Sequence, residues 1–249
     1  MAKDFKQFGV IDNALSEERY ERLIYENFLL PYRTGLTTDF KSLYADYVPK
    51  SLDWTFYVDI SDVGEEGIYV TDSSISTPQF NVTIINKAND TISPNYFNYA
   101  SVIQEISDKI IKNSNFTGPI LSRAKLNLIL NSGPVKSHNI PHIDFTGPEP
   151  HLSCTLFLGD SDGDHIIFNE TDKNLAAKGL PLSIADVYKH KPNRVVYNYG
   201  NYHCASPPIN HDFRLALNWV IIFDGSSKLH KHNMNKKLAT NLDKRYETT

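Results

Sequence analysis

The chain has 249 residues and a net charge of −4, so bulk electrostatics give no reason to expect nucleic acid as a partner. With 41% hydrophobic and 22% charged residues it can bury a core, and its length suits one large domain or two small ones. Two cysteines, Cys154 and Cys204, exclude a disulfide framework, and the lack of any apolar run of about 18 residues excludes a membrane-spanning helix.

The opening Met1-Ala2-Lys3-Asp4-Phe5 has no apolar stretch of the secretory kind, so a cytoplasmic location is expected. The aromatic balance, 14 Tyr and 13 Phe against 2 Met, favours strands over long helices. Residues 8–15 predict a short strand running into a turn. Ser16 is placed to cap a helix, with Glu17 and Glu18 in the first turn, where the helix dipole favours acids. Leu15, Tyr20, Leu23, Ile24 and Phe28 carry the helical pattern to about Phe28, and Pro31 closes it. Residues 32–52 are loop-rich. Strands are expected at 54–60, 68–70 and 80–85. Phe97, Val102, Ile103, Ile106, Ile110 and Ile111 outline a helix over 97–113, which Gly118-Pro119 ends.

The second half predicts short strands at 123–131, 138–145, 152–158, 164–168, 193–199, 202–206 and 213–224, separated by turn signals such as Gly147-Pro148 and Asp162-Gly163-Asp164. Such a run without a long helix points to a sandwich or barrel. Residues 170–192 form a longer, partly helical insertion. From Ser226 a polar, lysine-rich tail is expected to be frayed.

His142 and Asp144 carry the chemistry. On an extended chain alternate residues share a face, so the two side chains point the same way. His203 from a distant strand would complete two imidazoles and one carboxylate, the set that holds non-haem Fe(II) and leaves three positions open. Arg214 opens the most apolar strand, where a guanidinium is costly unless paired. A ligand carboxylate would pair it through two parallel hydrogen bonds, and a core acid such as Asp144 or Asp186 is the bland alternative. Asn218 lies on the same strand face and could add a hydrogen bond. His211, in a turn beside Asp212, is expected at the surface. His138, His151, His165, His190, His230 and His232 have no partner at ligand spacing and are expected at the surface or at strand ends. Cys204 and Cys154 are expected to be packing residues.

These residues resemble a family. Pro141-His142-Ile143-Asp144-Phe145, the Leu152–Leu158 strand with its acidic glycine turn, Lys191-Pro192-Asn193-Arg194-Val195-Val196-Tyr197, and the ten residues between His203 and Arg214 together look like the prolyl-4-hydroxylase-type 2-oxoglutarate/Fe(II) dioxygenases. The likeness is firm over 123–224, and the opening Val10–Ser16 also resembles this group. It implies a mainly β fold with flanking helices around a double-stranded β-helix, a jelly-roll or cupin-like core. One domain would span 1–225, with support elements over 1–122, the core over 123–225 and the tail over 226–249.

The resemblance further implies Fe(II) on His142, Asp144 and His203, 2-oxoglutarate as cosubstrate with its far carboxylate on Arg214, O2 as oxidant, and ascorbate as a candidate reductant. Decarboxylation of the cosubstrate to succinate and CO2 would accompany hydroxylation of a C–H bond. The carboxylate at Asp144 favours hydroxylation over halogenation. The substrate would be a peptide, a protein or a small molecule, with peptidyl proline the leading expectation. Two departures stand out: Asn127 or Ile129 occupies the region of the family's common tyrosine, and Phe157 occupies that of its second. Asn127 and Asn218 are therefore the candidates for further cosubstrate contacts. The competing expectations are a non-catalytic β-sandwich binding module and a cupin-like metalloenzyme that does not use 2-oxoglutarate.

Overall fold

The computed structural model describes residues 6–24, 55–57, 79–92, 96–112, 114, 116–131, 138–145, 147–172 and 181–223. Their strands are β1 (Phe8–Ile11), β2 (Thr55–Tyr57), β3 (Gln79–Asn86), β4 (Thr91–Ile92), β5 (Pro119–Leu130), β6 (His151–Leu158), β7 (His165–Phe168), β8 (Ile184–Tyr188), β9 (Val195–Asn198), β10 (His203–Ala205) and β11 (Phe213–Phe223). Two α-helices accompany them among the described residues, α1 (Glu17–Ile24) and α2 (Tyr96–Ile111). An eight-stranded sheet runs in the order β1-β9-β6-β11-β5-β3-β2, with β4 on β3, and a three-stranded sheet runs β10-β7-β8. Every pairing among these strands is antiparallel. The two sheets form a jelly-roll core with helices on one side.

Alternation along the long strands decides which layer receives what. On β6 and β11, Leu152, Cys154, Leu156, Leu215, Leu217 and Trp219 turn to the helical side and pack with Leu23 of α1 and Ile106 of α2. The opposite parity, Phe157 and Ala216, meets Ile167 of the small sheet and Val196 of β9. The same parity continues through Asn127, Thr155, Arg214 and Asn218, so polar residues reach a space between the sheets. Helix α2 presents Tyr99, Val102, Ile103, Ile106 and Ile110 as one buried stripe. Each such side chain contributes roughly 1.5–3 kcal/mol by leaving water. Helix α1 starts after Ser16, whose carbonyl and hydroxyl accept from Tyr20 and Arg19 N–H groups.

Two expectations change. Residues 138–145 are not a strand: they meet β10 through an isolated bridge from His142 to His203 and through the Asn139 N–H donating to the Ala205 carbonyl at 2.8 Å. Past that bridge the N–H that reaches Ala205 comes from Asn139 and not from Ile140, so the register slips by one residue and no ladder continues. Within the insertion, residues 184–188 are strand β8, paired with β7. As an edge strand it leaves Ile184 and Val187 exposed, which hides the apolar alternation that would have revealed it. The strand expected at 54–60 is described only as Thr55–Tyr57. The helix beyond Ile24, the strand at 68–70, the loop-rich 32–52 and the tail from Ser226, with His230 and His232, lie outside the described residues. No helix among the described residues is long and apolar enough to cross a membrane.

Helix α2 is tied to the sheet by one buried polar contact, the Trp219 indole N–H donating to Ser107 Oγ at 2.9 Å. Ser107→Ala leaves that donor unsatisfied, so the denaturation midpoint should fall by an amount equivalent to about 1–3 kcal/mol with the fold retained by circular dichroism.

Candidate functional site

His142 and His203 lie directly opposite each other across the isolated bridge. The His142 N–H donates to the His203 carbonyl at 3.0 Å and the His203 N–H to the His142 carbonyl at 2.9 Å. The two rings stand 4.8 Å apart, centre to centre. Each ring fixes its tautomer on the main chain: Nδ1 of His142 bonds the Ile140 carbonyl at 3.1 Å, and Nδ1 of His203 bonds the Asn201 carbonyl at 3.1 Å. Both Nε2 atoms are thereby left as lone-pair donors facing Asp144, at 3.9 and 3.1 Å from its oxygens. The ligand atoms of His142, Asp144 and His203 lie within 4.8 Å of one another. Two imidazoles and a carboxylate at this spacing suit a divalent first-row metal with positions to spare.

Asp144 divides its oxygens. Oδ2 faces His203, while Oδ1 accepts from Arg123 Nη2 at 2.5 Å. Burial alone would raise the Asp144 carboxyl, but the charge of His203 and then Arg123 hold it well below the usual carboxylate range. Burial would lower His203, and Asp144 overcomes this and raises it. The Asp144 carboxylate thus favours positive charge at His203 Nε2, and a metal cation in place of a proton there would satisfy it equally.

Arg214 is 2% exposed. Its Nε donates to the Gly163 carbonyl at 2.9 Å, its Cζ lies 5.0 Å from the Phe157 ring centre, and its Nη2 is buried without a partner. No carboxylate among the described residues pairs with it, so neither Asp144 nor Asp186 fills the role of a core acid. Burial lowers its pKa to about 10, which leaves it charged at neutral pH. A cavity of about 430 Å³ joins Arg214 to the His142–Asp144–His203 group. A buried guanidinium with an unpaired N–H, on the wall of such a cavity, fits a carboxylate ligand. Gly163 is required by the close approach, because a Cβ there would lie 2.6 Å from Arg214 Cδ and 2.8 Å from the Ser206 carbonyl oxygen.

The other nominated residues fall as follows. Asn127 and Asn218 both line the cavity, but they bond each other: Asn127 Nδ2 donates to Asn218 Oδ1 at 3.1 Å, and Asn218 Nδ2 to Thr155 Oγ1 at 2.7 Å. Ile129 lines the cavity, and Phe157 is fully buried beneath Arg214. His211 is 42% exposed at its side chain and contacts Asp162. Cys154 is in the core, and Cys204 is buried at the cavity wall.

Three histidines differ from the expectation of a surface setting. His151 and His165 do open strands β6 and β7, but both are buried, and His190 stacks on Phe157 at 4.6 Å with Nε2 bonded to the Gly159 carbonyl. Inward strand parity and tight turns, invisible without the partner sheet, put them there. Burial, then His203, then Arg214 push the His165 imidazole well below its ordinary value, so it is neutral. Arg123 and Lys125, which also line the cavity, were missed. Their period-two spacing from Asn127 on β5 was the available signal.

No family model matches the sequence, and no curated protein matches it. Solved structures do. An oxidoreductase of the 2OG-Fe(II) oxygenase family from Burkholderia pseudomallei superposes with a TM-score of 0.53 at 10% identity, covering 87% of this chain and 84% of that one. The non-haem alpha-ketoglutarate-dependent carbocyclase SnoK from nogalamycin biosynthesis gives 0.52 at 12% identity, covering 92% and 86%. A prolyl hydroxylase from Trichoplax adhaerens, in complex with a hypoxia inducible factor peptide fragment, gives 0.49 at 15% identity, covering 89% and 88%. The chain has the fold of the 2OG-Fe(II) oxygenases.

The turn that presents the Gly163 carbonyl is pinned by Asp162, which accepts from the Ile209 and Asn210 N–H groups at 3.0 and 2.8 Å. Burial opposes ionisation there, but these N–H groups win and lower Asp162 from 3.8 to about 2. A depressed folded-state pKa means the contribution is complete above about 4 and is lost as pH falls towards 2. The stability gap between wild type and Asp162→Ala, followed by denaturant titration, should therefore be flat above that window and shrink through it.

Proposed function

We propose that the protein is a 2-oxoglutarate- and Fe(II)-dependent dioxygenase that hydroxylates a C–H bond, within a single unit over residues 1–225. His142, Asp144 and His203 would hold the metal, and Arg214 would hold the far carboxylate of the cosubstrate. The observation that carries this reading is the meeting, in one cavity, of a two-histidine, one-carboxylate group with a buried guanidinium whose Nη2 has no partner. The shared fold supports the same class.

Bound iron would supply the redox chemistry that couples oxidative decarboxylation of 2-oxoglutarate to hydroxylation. The chain supplies everything that precedes it. The Ile140 and Asn201 carbonyls hold the two rings with Nε2 inward. Arg123 holds one Asp144 oxygen so that the other is turned to His203. Gly163 and Phe157 hold the Arg214 guanidinium in place, so binding a diacid costs little further ordering. Substrate would enter past His142, whose side chain is half exposed. Peptidyl proline heads the candidate substrates, followed by small amino acids and other metabolites.

Anaerobic addition of Fe(II) and 2-oxoglutarate should give a weak visible charge-transfer band, and air should then yield succinate. Asp144→Ala should lose the band and the succinate, and intact turnover in that variant would overturn the ligand assignment. Arg214→Ala should raise the 2-oxoglutarate requirement about ten- to hundredfold while Fe(II) binding persists. A cupin-like enzyme would be indifferent to that change, and a binding module would take up no iron.

A further inference from the structure

His165 has no assigned role, yet it occupies a decisive place. It is 4% exposed and lines the cavity at the head of β7. Its ring stacks on His203 at 5.4 Å between centres and 18° between planes, and stands 6.4 Å from Phe157, the ring beneath Arg214. It therefore sits between the two ends of the site, the His142–Asp144–His203 group and the guanidinium. No hydrogen bond engages either ring nitrogen among the described residues, and neither nitrogen is sealed from the cavity, so both are open to a ligand.

Of the other donors lining the cavity, Arg123 is engaged by Asp144. Arg214 has given Nε to Gly163. Asn127 and Asn218 direct amide N–H groups to each other and to Thr155, and the buried atom that Asn127 leaves without a partner is Oδ1, an acceptor. A dicarboxylate reaching from Arg214 towards the metal group brings only acceptors, so it needs donors. An imidazole always carries at least one N–H.

We propose that His165 is a cosubstrate-binding residue, donating a ring N–H to the dicarboxylate that Arg214 holds. The proposal rests on the dioxygenase reading above and adds a second protein contact to it. It also gives the aromatic stack a purpose: Phe157 and His203 hold the His165 ring in one orientation, so the donor is positioned before the ligand arrives.

The test uses the full chain loaded with Mn(II), with 2-oxoglutarate titrated calorimetrically into wild type, His165→Phe and His165→Gln. The phenylalanine variant keeps the ring and removes the N–H, so its 2-oxoglutarate dissociation constant should rise about tenfold or more at unchanged Mn(II) affinity. The glutamine variant restores a donor and should recover most of the loss. Equal 2-oxoglutarate binding by wild type and His165→Phe overturns the contact and leaves the dioxygenase reading standing. Wild type that binds Mn(II) but no 2-oxoglutarate overturns both. Loss of Mn(II) binding in a folded His165→Phe overturns the proposal in favour of a fourth metal ligand. Should that variant not fold, nitrogen NMR of histidine-labelled, Zn(II)-loaded wild type decides. A His165 ring signal that moves when 2-oxoglutarate is added supports the contact, and one that stays fixed removes it.

Discussion

Two reciprocal backbone hydrogen bonds between His142 and His203 hold the site together. They join residues far apart in sequence and set the distance between the two rings before any side chain is considered. Asp144, two positions along, is then carried to the same side, and Arg123 on the neighbouring large sheet reaches it. A single bridge suffices because both partners are otherwise anchored: His203 belongs to β10, paired to β7, and the histidine tautomers are fixed by main-chain carbonyls. The closeness of His142, Asp144 and His203 is thus a property of backbone pairing, with side-chain packing in a supporting part.

The long strands solve a second problem, which is to place polar groups deep in a protein. Strands β5, β6 and β11 each give one face to the helices and the other to the space between sheets. On the helical side the residues are aliphatic or aromatic. On the inner side the same strands carry Arg123, Lys125, Asn127, Thr155, Arg214 and Asn218. The apolar half stabilises the sheet and allows the polar half to be held rigidly in a low-dielectric setting, where each charge interaction is stronger than in water.

Much of this was legible in the sequence, for reasons that differ by element. Strands β5, β6 and β11 are long and strongly patterned, and helix α2 has a clean apolar stripe, so their positions follow from periodicity. The His142, Asp144, His203 and Arg214 grouping could be read because ligand types and spacing are restrictive together. What could not be read depends on partners remote in sequence. The bridge at His142 looked like a strand because one extended residue pair and a ladder share the same local pattern. Strand β8 showed no alternation because it is an edge. The burial of His151 and His165 follows from which sheet covers them, and the lone-chain pattern holds no trace of that. Arg123 was within reach, since its strand parity with Asn127 was already fixed.

The anchoring of Arg214 to the Gly163 carbonyl has a consequence for how this protein can drift. A main-chain oxygen is encoded by no particular residue, so the side chains at Asp160, Ser161 and Asp164 do not enter the bond that aims the guanidinium. Gly163 itself is the exception, because any larger residue would collide with the arginine stem. Across lineages, the loop could therefore change at those three positions around a fixed Asp162 and Gly163, and its overall dissimilarity would conceal an unaltered grip.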